Sequence, residues 1–89
     1  MIINEYIYAS NGSYINVTVT GTGNAGGTVT ATLSGTSYTG TTDASGHAMI
    51  PVDDTGTYSL SYINGTYSGS GTVTVSVKGF TYMTSIAVT

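Results

Sequence analysis

The stretch DASGHAMIPVDDTGTYSL, residues 43–60, holds the only histidine, the only proline and three of the four acidic residues of an 89-residue chain. Two readings compete for it. Either these groups form a reactive centre, or they mark the corners of a β-scaffold. The alternation favours the scaffold. HAMIPV places Ala48, Ile50 and Val52 on one side, and TYSLSYI places Tyr58, Leu60 and Tyr62 on one side. A period of two with one apolar side is the pattern of a half-buried strand. DASG precedes the first run and DDTG separates the two, and Asp, Ser and Gly are the residues that tight turns select. The polar groups are concentrated because two chain reversals are concentrated.

The composition extends this reading to the whole chain. Thr, Ser and Gly supply 42 of the 89 residues, and the apolar set is mostly Val, Ile and Tyr, which suit a pleated surface. Glu5, Asp43, Asp53 and Asp54 stand against Lys78 alone, so the net charge is −3. No basic patch exists to neutralise phosphates, which argues against nucleic acid and anionic membrane as partners. There is no cysteine, so stability must come from packing, strand pairing or a partner subunit. A chain of this length encloses one modest core. Its start, MIINEYIYASNG, lacks a positively charged region followed by a continuous apolar run, so no export signal is expected.

Eight strands are expected. Ile15, Val17 and Val19 share one face of the second, and Val29, Ala31 and Leu33 share one face of the third. A two-residue turn at Gly35-Thr36 would set Leu33 opposite Tyr38 and Ala31 opposite Gly40. Asn64-Gly65 is a strong signal for a type I′ hairpin, and it would place Tyr62 across from Tyr67, Leu60 across from Gly69 and Tyr58 across from Gly71. In that register, aromatic side chains lie over the strand glycines. Val73, Val75 and Val77 continue the inward parity. The flanking segments IINEYIYA and FTYMTSIAVT read as amphipathic strands, the latter with Phe80, Tyr82, Ile86 and Val88 on one face.

Residues 41–62 resemble two families of β-sandwich. TTDASG, with Asp43 opening a turn that Gly46 closes, is similar to the corner of carboxypeptidase-regulatory-like and collagen-adhesin B-type repeats. DDTGTYSL is similar to the immunoglobulin tyrosine corner, with Asp54, Gly56 and Tyr58 matching and Leu60 standing where that family often has Cys. The resemblance covers about residues 14–78 and implies an all-β, Ig-like (prealbumin-like) antiparallel sandwich of seven strands plus an extra terminal strand. The expected organisation is an N-terminal strand or arm at 1–13, the sandwich at 14–78, and a C-terminal strand at 79–89 that either lies as an extra edge strand on its own sandwich or serves as an attachment or swapped strand on a neighbour. Modules of this kind occur in bacterial surface proteins and tailed-phage virions.

His47 with Asp43 and Ser45 falls within one turn, whereas a triad gathers its members across a fold around an oxyanion hole. Asp43, Asp53 and Asp54 match no established calcium loop, although Ca²⁺ does use clustered carboxylates. A role in their own turns is the plainer reading. Parity sends Tyr38, Tyr58, Tyr62 and Tyr67 inward and leaves Tyr14, with Tyr6 or Tyr8, for a sugar-binding surface. The sequons at Asn11, Asn16 and Asn64 are expected by chance in so hydroxyl-rich a chain. No catalytic residue, metal or cofactor is therefore expected. The amphipathic ends need cover, and Phe80, Tyr82, Ile86, Val88, Tyr6 and Tyr8 are the candidate assembly residues. The expectation is a non-enzymatic accessory protein of a virus particle, decorating a tailed-phage capsid or tail, with virion proteins or copies of itself as partners. The rival is an adhesin-type module that binds glycan or protein at a bacterial or archaeal cell surface.

Overall fold

The computed structural model describes residues 12–89. The segment IINEYIYA, with Tyr6 and Tyr8, lies outside the described residues. Seven strands follow, each where an alternating run was read: β1 Ser13–Thr20, β2 Thr28–Leu33, β3 Thr36–Thr41, β4 His47–Val52, β5 Gly56–Asn64, β6 Tyr67–Val75 and β7 Thr81–Ala87. They form two sheets, β4-β1-β7 and β3-β2-β5-β6, which pack as a sandwich. The inward sets of the two sheets make one core: Ile15, Val17 and Val19 of β1, Ala48, Ile50 and Val52 of β4, Tyr58, Leu60 and Tyr62 of β5, with Val29, Ala31, Val75 and Ile86. Leu33, Tyr38, Val73, Tyr82 and Val88 are partly buried against it. Pro51 sits in β4, an edge strand of its sheet, where a missing N–H breaks no ladder.

Both hairpin registers differ from the sequence expectation by one turn position. The β2–β3 turn is Ser34-Gly35, so Leu33 pairs with Thr36, Ala31 with Tyr38 and Val29 with Gly40. Ser34 and Gly35 have φ of 50° and 87°, the two positive values a type I′ turn needs. The β5–β6 turn is Gly65-Thr66: Asn64 pairs with Tyr67, Tyr62 with Gly69, Leu60 with Gly71 and Tyr58 with Val73. Gly65 has φ of 62° and Thr66 has no positive φ, the pattern of type II′. Asn64 is drawn out of the turn because its side-chain amide is engaged elsewhere. Nδ2 donates to the carbonyls of Gly23 and Ala25 in the β1–β2 loop.

The largest correction concerns the C-terminal segment. Residues 79–89 do not form a separate attachment or swapped strand, and the 14–78 module is not complete without them. β7 runs parallel to β1 over Tyr14↔Thr81 to Thr20↔Ala87, the one departure from antiparallel pairing among the described strands. Ile86 is 1% exposed. The chain end also reaches the other sheet, where Thr89 N donates to Ser68 O at 2.9 Å. β7 lies close over β6: a Cβ at Gly69 would come within 2.6 Å of Ile86 Cγ2 and 2.7 Å of Ala87 O. Gly69, which stands opposite Tyr62, therefore makes room for β7.

Candidate functional site

The Asp43 turn is a self-satisfied structural corner. Asp43 Oδ1 accepts from the backbone N–H groups of Ser45 at 2.8 Å and His47 at 3.0 Å, while Gly46 N donates to Asp43 O and Asp43 N to His47 O. The two N–H groups on the carboxylate, that of His47 foremost, hold its pKa below the ordinary value. Gly46 is required twice over. Its φ is 86°, and an added Cβ would collide with Val19 O; its own carbonyl accepts from Val19 N at 2.7 Å. His47 Nδ1 stands 4.0 Å from Asp43 Oδ1 with both side chains well exposed. Neither is drawn into an enclosed site, and Ser45 contributes only its backbone to the turn.

This corner yields a pH prediction with a definite sign. A carboxyl whose folded pKa is depressed contributes stability above its unfolded value of about 3.9, and that contribution is lost as pH falls through the lower folded value. Asp43→Ala is expected to lower the melting temperature at neutral pH, and the gap from wild type should close as both are titrated through the acidic range. Thermal scans from neutral to strongly acidic buffer check this, and a pH-independent gap would count against it.

The second corner is built on Tyr58. Tyr58 is fully buried, and its hydroxyl donates to Asp54 O at 2.6 Å, a bond to backbone just upstream like that of a tyrosine corner. Burial raises the phenol pKa. Tyr38 meets Tyr58 edge-on at 6.1 Å. The backbone carbonyl of Asp54 takes this bond. Gly56, with φ of 147°, lies against Leu33. Among the described residues no group of three or more His, Asp or Glu side chains is placed to hold a metal ion, and no helix is long and apolar enough to cross a membrane.

The candidate assembly residues separate. Ile86 is in the core, and Tyr82 and Val88 pack against it. The Tyr82 hydroxyl is bound into the loop after β6, accepting from Val77 N at 2.8 Å and donating to Val77 O at 2.9 Å. Phe80 stays 60% exposed just before β7, where its carbonyl accepts from Tyr14 N. Val77 is exposed because β6 ends at Val75. Tyr67, expected inward, is 40% exposed and its ring covers Gly23.

What the fold brings together instead is the outer face of the three-stranded sheet. Asn16 of β1 pairs with Met49 of β4 on one side and Met83 of β7 on the other. Tyr14 pairs with Pro51 and Thr81 in the next row. Met83 is 69%, Met49 51% and Tyr14 39% exposed. Among the described residues this face carries no Asp, Glu, Lys or Arg, and His47, opposite Thr18, is its one ionisable nitrogen base. The opposite outer face, on the four-stranded sheet, is hydroxylated in rows such as Thr39-Thr30-Ser61-Ser70 and Ser37-Thr32-Ser59-Thr72. Some hydroxyls pair across strands, Thr32 with Ser37 and Thr57 with Thr74, each at 3.1 Å. Ile63 is its one large apolar side chain. The outward parity of Tyr14, Met49 and Met83 is readable in the sequence. Their adjacency is not, because β1 meets β7 only through the parallel pairing.

In comparisons with known proteins, no family model matches the chain and no curated protein matches it.

Proposed function

We propose that this domain is a non-enzymatic structural accessory module of a virus particle, an Ig-like sandwich that decorates a tailed-phage capsid or tail. The observation that carries the reading is the contrast between its two outer faces. A face whose described residues include no Asp, Glu, Lys or Arg, with Met83, Met49 and Tyr14 open to solvent, is a surface that gains from being covered. Methionine fits irregular partner surfaces, and aromatic residues supply anchors at interfaces. A hydroxyl-rich face with one large apolar group has little to gain from burial and suits the outside of a particle. In this reading the three-stranded sheet rests on the assembly and the four-stranded sheet faces outward.

The test is a paired substitution, Met49→Lys with Met83→Lys. Both positions are more than half exposed, so each change is expected to alter stability by no more than about 0.5 kcal/mol. Two charges introduced into a dry contact should nonetheless release the protein from the particle. Co-sedimentation of purified domain with particles, alongside a melting curve, measures both. Undiminished binding by the double variant would exclude this face as the attachment surface.

A second reading rests on Tyr14, an exposed aromatic beside Thr81 and Asn16. It is the described tyrosine best placed for an adhesin-type glycan contact. Glycan binding that Tyr14→Ala abolishes, with no particle association, would favour that alternative.

A further inference from the structure

We propose that Asn64 is a deamidation site gated by the β1–β2 loop, and that the reaction irreversibly removes the latch from Asn64 to this loop. Asn64 ends β5 and is followed by Gly65, which is exposed in the turn with no neighbour near where a Cβ would stand. Glycine leaves its backbone nitrogen unhindered as a nucleophile. Attack of Gly65 N on Asn64 Cγ forms the N–C bond of a succinimide. The Gly65 N–H proton is lost, the Cγ–Nδ2 bond breaks and ammonia leaves. Water then opens the ring to aspartate or isoaspartate. Solvent water is the only co-reactant.

In the folded protein the side-chain amide is tied down. Nδ2 donates to Gly23 O at 3.1 Å and to Ala25 O at 2.9 Å, using both of its N–H groups. The Tyr62 hydroxyl donates to the same Gly23 carbonyl at 2.6 Å, and the Tyr67 ring rests against Gly23. The amide must leave both carbonyls before its carbon can swing onto Gly65 N. The native rate is therefore the unfolded rate scaled by the fraction of time the loop is open. Breaking two such bonds makes the folded protein slower by roughly tenfold or more.

The product cannot close the same latch. A carboxylate at position 64 has no donor and would set negative charge against two carbonyl oxygens, acceptor against acceptor. The rest of the loop keeps its own anchors: the Tyr62 hydroxyl on Gly23 O, Asn24 Nδ2 on Val19 O, and Gly26 N and Gly27 N on Thr42. Loosening is thus centred on Ala25, which loses its bond from Asn64, and the strand pairings persist.

Peptide mass spectrometry of the conversion at Asn64 tests this, comparing folded protein with urea-unfolded protein at the same pH and temperature. The expected result is a folded rate lower by roughly tenfold or more. Tyr62→Phe removes the second bond to Gly23 O and should narrow the gap by speeding only the folded reaction. Hydrogen exchange in the loop should rise in aged protein and in Asn64→Asp, with β2–β5 protection retained. Equal folded and unfolded rates, or loop exchange unchanged after conversion, would overturn the proposal. If Asn64→Asp fails to fold, the wild-type rate comparison and aged wild-type protein still decide it.

Discussion

A chain ending at Gly79 is expected not to fold cooperatively. Removing β7 takes away one of the three described strands of the β4-β1-β7 sheet, so that β4 and β1 are left to cover the core side of the four-stranded sheet. It also uncovers the core beside Ile86 and removes the bond from Thr89 N to Ser68 O that ties the chain end to the other sheet. A single substitution tests the same point more gently. Ile86→Ala deletes most of a side chain that is 1% exposed, and such deletions cost about 2–5 kcal/mol. In a domain of this size that lowers the melting temperature by roughly 10–30 °C. Circular dichroism melts and urea titration measure both variants. A truncated chain that unfolds cooperatively near the wild-type midpoint would show that β7 is an appendage.

The second large effect is a contrast between two glycines on one face of β6. At Gly69 an added Cβ would stand 2.6 Å from Ile86 Cγ2 and 2.7 Å from Ala87 O. The latter is backbone of β7 and cannot yield without moving the strand. At Gly71 the nearest atoms, Ile86 Cγ1 and Ser85 O, are 3.5 Å away, which is ordinary contact. Neither glycine has a positive φ, so alanine is conformationally acceptable at both. Alanine in place of glycine stabilises by about 0.4–1 kcal/mol when nothing is strained, and overpacking costs about 1–3 kcal/mol. Gly71→Ala is therefore expected to be neutral or stabilising. Gly69→Ala should destabilise, because the steric cost exceeds the entropic gain. Urea midpoints for the pair decide it, and equal effects would mean that β7 does not lie where it is described.

These two predictions turn on the part of the fold that was least visible in the chain. Alternation is local: Ile15, Val17 and Val19, or Ala48, Ile50 and Val52, declare one buried side without reference to any other strand. The Tyr58 corner is also local, since its bond reaches only four residues back. Pairing between β1 and β7 joins residues more than sixty positions apart, and no short pattern encodes which strand will be a neighbour. Reading the ends as spare strands followed from treating Phe80, Tyr82, Ile86 and Val88 as one unpartnered face. Three of them are buried in or packed on the domain's own core.

The hairpin at Asn64 fails for a related reason. The Asn-Gly preference for a type I′ turn is a statement about backbone conformation, and it gives way when the asparagine amide finds two carbonyls in a distant loop. The candidate attachment surface was half legible. Tyr14, Met49 and Met83 each have outward parity, but only the strand order sets the two methionines on either side of Asn16. Direct observation of the domain in its native assembly therefore tests the central claim most directly. Electron microscopy of the intact particle is predicted to show the three-stranded sheet, with Tyr14, Met49 and Met83, buried on a neighbouring subunit and the Ser/Thr face of the four-stranded sheet turned outward. A particle in which that apolar face is open to solvent, or in which the hydroxylated face makes the contact, would contradict it.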